Sequence, residues 1–220
     1  MSALEATELY RFFHAGDDEV VALRGVALIL NAGEFTALRG PSGSGKSTLL
    51  ACLAGIDEPD GGVVSVLGER MTRRPEPERD RLRARHFGML MQSGNLFDHL
   101  TVRTNIRLQM EISGRGRPDE IDDLVRSLGL DGLADVLPAH LSGGEAARAG
   151  LAVALAAKPA ILLCDEPTAE VDAATEKLVI DRLIESCRSG AAVLVVTHSP
   201  ALAARADRII NIRDGGIVHD

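Results

Sequence analysis

Three things are missing from this sequence, and each absence removes a class of function. There is no Cys-x-x-Cys pair: Cys52, Cys164 and Cys187 stand alone among apolar or helical neighbours, which reads as buried, reduced thiols of a cytosolic protein. There is no basic excess. The 24 Lys and Arg are outnumbered by 32 Asp and Glu, for a formal net charge of -8, which argues against nucleic acid as the main partner. There is also no uninterrupted apolar run of membrane-spanning length. The best candidate, around residues 151–164, is broken by Lys158-Pro159. The opening Met1-Ser2-Ala3-Leu4-Glu5-Ala6-Thr7-Glu8 is acidic and lacks the basic-then-apolar order of a signal peptide. Direct membrane insertion is therefore not expected, and any membrane role would pass through a partner. No internal repeat or low-complexity tail is visible.

What is present is ordinary globular composition, 45% hydrophobic and 25% charged over 220 residues, enough chain to bury a core in one or two domains. One stretch is not ordinary. Gly40-Pro41-Ser42-Gly43-Ser44-Gly45-Lys46-Ser47-Thr48 follows the apolar run Phe35-Thr36-Ala37-Leu38 and leads into Leu49-Leu50-Ala51-Cys52-Leu53, which reads as strand, loop and helix. Glycines let successive N–H groups turn inward around phosphate oxygens, and a helix start adds partial positive charge. In such a loop Lys46 reaches the β and γ phosphates and the Ser47 hydroxyl binds Mg²⁺. A nucleoside triphosphate is the implied ligand, with Ser42, Gly43, Ser44, Gly45, Lys46, Ser47 and Thr48 as its cradle.

The rest of the chain alternates element types. Short β-rich runs at residues 20–23, 26–30, 35–38 and 62–66 are punctuated by Asn31-Ala32-Gly33 and Asp60-Gly61-Gly62. Residues 71–85 read as a surface connection followed by a short helix. From about 100 to 141 the pattern turns helical, with a helix over 119–128 stopped by Gly129. A loop and helix over 141–158 end at Pro159. Residues 161–164 and 193–196 are wholly apolar, as buried parallel strands are, and a helix over 173–187 joins them into a β-α-β crossover. Residues 209–212 and 216–218 read as a closing hairpin.

Two further constellations carry chemistry. Ile161-Leu162-Leu163-Cys164 ends in the adjacent carboxylates Asp165 and Glu166. Successive side chains at a strand end point in different directions, so Asp165 can serve a Mg²⁺ shell while Glu166 addresses an attacking water. Leu141-Ser142-Gly143-Gly144-Glu145 precedes a helix; a hydroxyl and glycine N–H groups at a helix start form a second anion site.

Taken together the chain closely resembles, nearly end to end, the ATPase subunit of ATP-binding cassette (ABC) transporters. That family's motif order is matched by Gly40 to Thr48, Gln92, Leu141 to Glu145, Ile161 to Glu166, Ala169 to Asp172 and His198. The resemblance implies an α/β P-loop NTPase fold: a RecA-like core with an N-terminal antiparallel β subdomain (together about 1–90 and 158–220) and a helical signature subdomain (about 95–157), all in one ABC ATPase domain. It implies ATP and Mg²⁺ as cofactors and a head-to-tail pair of ATPase copies. ATP would lie between one copy's Lys46 loop and the other copy's Ser142, Gly143, Gly144 and Glu145, with Asp172 alongside. Glu166 is then the general base or water-orienting carboxylate, His198 the γ-phosphate contact, and Gln92 joins Ser47 and Asp165 around the metal. Phe13 matches the adenine-stacking aromatic, with Tyr10 and Phe12 as alternatives.

Within the family, Ala22-Leu23-Arg24-Gly25-Val26, Gly33-Glu34-Phe35, Gly55-Ile56-Asp57-Glu58-Pro59 and Gly94-Asn95-Leu96-Phe97 resemble the lipoprotein-release, macrolide-export and cell-division branch. That implies an integral-membrane permease partner and a cytoplasmic position at the inner face of the membrane. The chain departs from the family's usual pattern at Ala146-Ala147, where two Gln are common, at Val153, at Val171 and at Asp98; Arg148 is kept. None of these removes a phosphate-contacting group. Beside the transport motor stand two other readings, a regulatory nucleotide-dependent clamp on a membrane partner and a soluble non-transport ABC ATPase. The second usually carries coiled-coil insertions or two cassettes, neither present here.

Overall fold

Residues 161–164 and 192–196 are apolar at every position because the strands they form are covered on both faces. The computed structural model describes residues 1–15, 18–169 and 171–218, with the side chains of 14, 15 and 18 left aside. The chain begins with β1 (Ser2–Ala15), β2 (Asp18–Asn31), β3 (Phe35–Arg39), α1 (Lys46–Leu53), β4 (Gly61–Val66) and β5 (Glu69–Arg70). Next come α2 (Glu76–His86), β6 (Phe87–Leu90), α3 (Val102–Ser113), α4 (Ile121–Ser127) and α5 (Gly143–Leu155). It closes with β7 (Ile161–Asp165), α6 (Ala173–Arg188), β8 (Ala192–Val196), α7 (Pro200–Ala203), β9 (Arg208–Arg213) and β10 (Gly216–Val218).

Among the described residues the strands build two sheets. The first is antiparallel, in the order β2-β1-β4-β5. The second runs β10-β9-β3-β8-β7-β6, parallel from β9 to β6, with β10 folded back on β9. Helix α6 joins the neighbouring parallel strands β7 and β8, which is the expected crossover.

Alternation along these strands divides the core. Ile161 and Leu163 of β7 and Ala192, Leu194 and Val196 of β8 join the cluster that includes α1 and the antiparallel sheet. Leu162, Cys164, Val193 and Val195 face the cluster built from α3 to α6. The three cysteines are buried and free, as expected, and burial pushes the Cys52 thiol up to about 12.

Several elements differ from the sequence-based expectation. Residues 2–15 form a full strand, carried by Ala3, Leu4, Ala6 and Leu9; two of these are alanines and Leu9 sits across a bulge, so the alternation is faint. The expected runs 20–23 and 26–30 are one strand, kinked at Gly25, where φ is +67° and an added Cβ would lie 2.9 Å from the Tyr10 hydroxyl. The surface connection after residue 70 begins with the buried Met71 and Thr72. The helix expected over 119–128 is a 3-10 turn, Pro118–Glu120, followed by α4.

Candidate active site

The parallel sheet sets four sequence segments side by side. In spatial order β3, β8, β7 and β6, the strand ends lead into the Gly40 loop, His198, Asp165-Glu166 and Gln92. Ligands of open parallel sheets bind at this carboxyl edge. A cleft of about 800 Å³ lies there, lined among others by Phe13, Ser42, Gly43, Gly45, Lys46, Ser47, Thr48, Gln92, Asp165, Glu166 and His198.

The loop is shaped by glycine. Gly45, at φ +99°, leaves room for no side chain, since a Cβ would fall 2.4 Å from the Ala22 carbonyl oxygen. Lys46 is only 9% exposed, and its ammonium donates to the Gly40 and Pro41 carbonyls at 2.8 and 2.9 Å. Ser44 differs from the rest of the predicted cradle. Its side chain is buried beside Gly40, its hydroxyl has no partner, and it does not line the cleft, so only its backbone is available to a ligand.

Opposite the loop, Ser47 Oγ donates to Asp165 Oδ2 at 2.8 Å. Glu166 follows with φ +49°, held by its N–H on the Val196 carbonyl at 3.0 Å. A left-handed backbone is strained for a residue with a side chain, and here it lies at the cleft. Its Oε2 accepts from the His198 N–H at 3.2 Å, and its Oε1 lies 3.5 Å from His198 Nε2. Among the described residues no group of three or more His, Cys, Asp or Glu could hold a metal. The hard oxygens of Ser47 and Asp165 nonetheless suit a Mg²⁺ completed by phosphate and water oxygens.

Of the three aromatics considered, Phe13 lines the cleft. Tyr10 and Phe12 stack on each other, ring centroids 6.4 Å apart, and Tyr10 packs on Gly25 and Gly61.

Comparison with known proteins decides the family. Residues 23–169 match the family model described as ABC transporter. The chain belongs to the ABC transporter family. It is 37% identical over 220 residues to the macrolide export ATP-binding/permease protein MacB of Shigella flexneri. It is 38% identical to the probable syringafactin export ATP-binding/permease protein SyfD of Pseudomonas syringae pv. syringae. Each match covers 99% of this chain, and the chain spans about a third (34%) of each relative's length. Among solved structures it superposes on the dimeric ATP-binding cassette MJ0796, in a post-hydrolysis state bound to ADP and Pi, with a TM-score of 0.92. The two are 30% identical, with 98% of this chain and 97% of that one covered. The α/β ABC ATPase fold expected from the sequence is thereby established.

In this ABC transporter chain the remaining predicted residues lie outside the Lys46 cleft. Ser142 caps α5 in a reciprocal box with Glu145: the Ser142 N–H and Oγ each donate to Glu145 Oε2 at 2.7 Å. Those bonds, the backbone one first, hold the Glu145 carboxyl below its ordinary range. Asp172 caps α6 and accepts from the Ala174 and Thr175 N–H groups and from Thr175 Oγ1 at 2.8 to 3.0 Å. Arg148 Nη1 donates to the same Thr175 hydroxyl at 2.9 Å. Helix α5, which Ser142 caps, is thus tied to Asp172 through Arg148 and Thr175. Gly144 sits beside this link, where a Cβ would be 3.4 Å from Thr175 Oγ1. Glu170, within the predicted Ala169 to Asp172 loop, lies outside the described residues.

Two asparagines hold the segment after Gln92, a role that the sequence did not assign to either. Asn95 closes the Gln92 loop by a two-way bond with the Met91 backbone, at 2.7 and 2.6 Å. Asn105, 2% exposed, accepts from the Phe97 N–H and donates to the Phe97, Leu100 and Thr101 carbonyls. Asn95 was quoted only within the Gly94 to Phe97 stretch, and Asn105 sits inside α3, where nothing in the sequence marks a loop-holding role. Ala146 and Ala147, together with Gly143, line a neighbouring groove of about 840 Å³ that shares Gln92 and Glu166 with the cleft.

Proposed function

We propose that this chain binds and hydrolyses ATP as one half of a head-to-tail pair and passes the energy to an integral-membrane permease. The observation that carries the reading is the Ser47–Asp165 contact beside the Glu166–His198 pair, facing the Lys46 loop in one cleft. The roles follow from chemistry. The backbone of Ser42 to Ser47 and the Lys46 ammonium bind the phosphates, and Thr48 lines the cradle. Lys46 exchanges two carbonyl partners for phosphate oxygens, a charge-assisted gain. Ser47, Asp165 and Gln92 hold the metal site. A Mg²⁺ held by them would supply charge neutralisation for the phosphate groups. Glu166 orients a water and accepts its proton, and His198 holds that carboxylate and faces the γ-phosphoryl group, so the chain works by positioning and charge stabilisation. Phe13 stacks on adenine.

The Ser142, Gly143, Gly144, Glu145 and Asp172 group serves the second copy's nucleotide in this reading, because one chain does not bring it to its own Lys46. Residues 95–157 act as the helical arm and residues 1–90 with 158–220 as the nucleotide-binding body. Among the described residues no helix is long and apolar enough to cross a membrane, so the chain would sit at the inner face through its permease. The relatives' names make export the first activity to test, alongside lipoprotein release and mechanotransmission.

The test is size-exclusion chromatography with light scattering on Glu166→Gln. A dimer that forms only with Mg-ATP is the expected result. Wild-type protein that binds no Mg-ATP, or a Glu166→Gln variant that binds it without pairing, overturns the head-to-tail motor for the isolated chain.

A further inference from the structure

Arg11 stands two residues before Phe13 on β1, so both side chains emerge on one face of the strand. Its guanidinium carbon lies 4.7 Å from the Phe13 ring centroid. The guanidinium cannot drift from that position, because a fork of two 2.8 Å bonds fixes it to Asp57 and a third bond of 3.1 Å reaches Asp60. Asp60 in turn accepts the Phe12 N–H at 2.7 Å. Asp57 follows the C-terminal end of α1, where its own N–H is bonded to the Ala51 carbonyl. The helix whose first turn carries Lys46 therefore also anchors, at its other end, the cation beneath Phe13.

One face of the Phe13 ring is covered by Arg11. Phe13 is 40% exposed and lines the cleft, whereas Arg11 does not. We infer that Arg11 is a positioning residue for the nucleotide base: it backs Phe13 so that the purine stacks on the ring's free face. This rests on the ATP-binding reading above.

Two effects act together. A cation on one face of a ring draws π density toward itself, which makes the opposite face a better partner for an electron-rich purine. A ring held in one orientation also loses less freedom when the base arrives. Arg11 is not a phosphate ligand, since the two carboxylates it holds outweigh its single charge. Its influence falls on the base and leaves the triphosphate alone.

That separation supplies the test. Wild type, Arg11→Met, Arg11→Lys, Phe13→Ala and the Arg11→Met/Phe13→Ala double variant are titrated by calorimetry with Mg-ATP and with Mg-tripolyphosphate. Tripolyphosphate needs the Lys46 loop but no base, so its affinity reports an intact fold. Arg11→Met is expected to weaken ATP about three- to tenfold with tripolyphosphate unchanged. Arg11→Lys should recover part of the loss, and Arg11→Met should add nothing once Phe13 is gone. Unchanged ATP affinity in Arg11→Met, parallel losses for both ligands, or effects that add in the double variant overturn the inference. Wild type that binds tripolyphosphate but gains nothing from the base overturns it too, while leaving the phosphate site standing. Wild type that binds neither ligand overturns the ATP-binding reading itself.

Discussion

Ser47 and Asp165 are 118 residues apart in the chain and share a hydrogen bond of 2.8 Å. The hydroxyl ends the phosphate loop and the carboxylate ends β7, so the bond spans the gap between two parallel strands separated by β8. On the proposed mechanism both oxygens belong to one metal site. Ser47→Ala should lower Mg²⁺-dependent ATP hydrolysis by at least about a hundredfold. Without nucleotide it should lower thermal stability modestly, because the lost hydroxyl is a donor to the Asp165 carboxylate, which is 6% exposed. Steady-state phosphate release and a melting curve measured without nucleotide check both halves.

His198 offers a cleaner separation of activity from stability. Its side chain is 61% exposed and its ring approaches Glu166 at 3.5 Å. Exposed substitutions of this kind change stability within about 0.5 kcal/mol. His198→Ala should keep ATP binding and the native melting temperature while hydrolysis falls about a hundredfold or more. Equal turnover in the variant would remove His198 from the mechanism.

Asn105 is expected to act through structure. Its buried amide satisfies four backbone groups in the segment after Gln92. Asn105→Ala removes these bonds, although the Phe97 and Thr101 carbonyls keep the Leu100 and Asn105 N–H groups, and should cost about 1–3 kcal/mol in chemical denaturation. Hydrogen exchange should rise first at residues 97–101, where those partners lie.

Asp172 should leave a signature in acid. Bonds from the Thr175 backbone and hydroxyl, then Ala174, hold its carboxyl below the ordinary range. A depressed folded value means that its contribution is fully present above the unfolded value near about 3.9 and is lost as pH falls through the lower, folded one. Asn also caps helices well but does not titrate there. Unfolding curves of wild type and Asp172→Asn should therefore run parallel above about pH 5 and diverge below about pH 4, with wild type losing more.

Legibility in the sequence followed how local the physics is. The phosphate loop was readable because its glycines, lysine and hydroxyls are consecutive and their backbone demands are met within nine residues. The α5 start was readable for the same reason, Ser142 and Glu145 satisfying each other across one helical turn. Strand β1 was not, since Ala3 and Ala6 bury little surface and the bulge near Glu8, at φ +48°, breaks the period of two. Asn105 and Arg11 were not, because their partners are chosen by folding: a carboxylate 46 residues away for Arg11, a loop's own carbonyls for Asn105.

By itself the sequence determined which chemical groups exist and in what local frames: a loop able to wrap phosphate, a strand ending in two carboxylates, a capped helix start and a histidine after an apolar run. The tertiary structure alone decided which of these face one another. Parallel order β3-β8-β7-β6 gathers the Gly40 loop, His198, Glu166 and Gln92 into one cleft and leaves the Ser142 turn outside it. It also brings Phe13 into the lining of that cleft while Tyr10 and Phe12 stack on each other, because only the packed sheet determines which face of a strand meets the cleft.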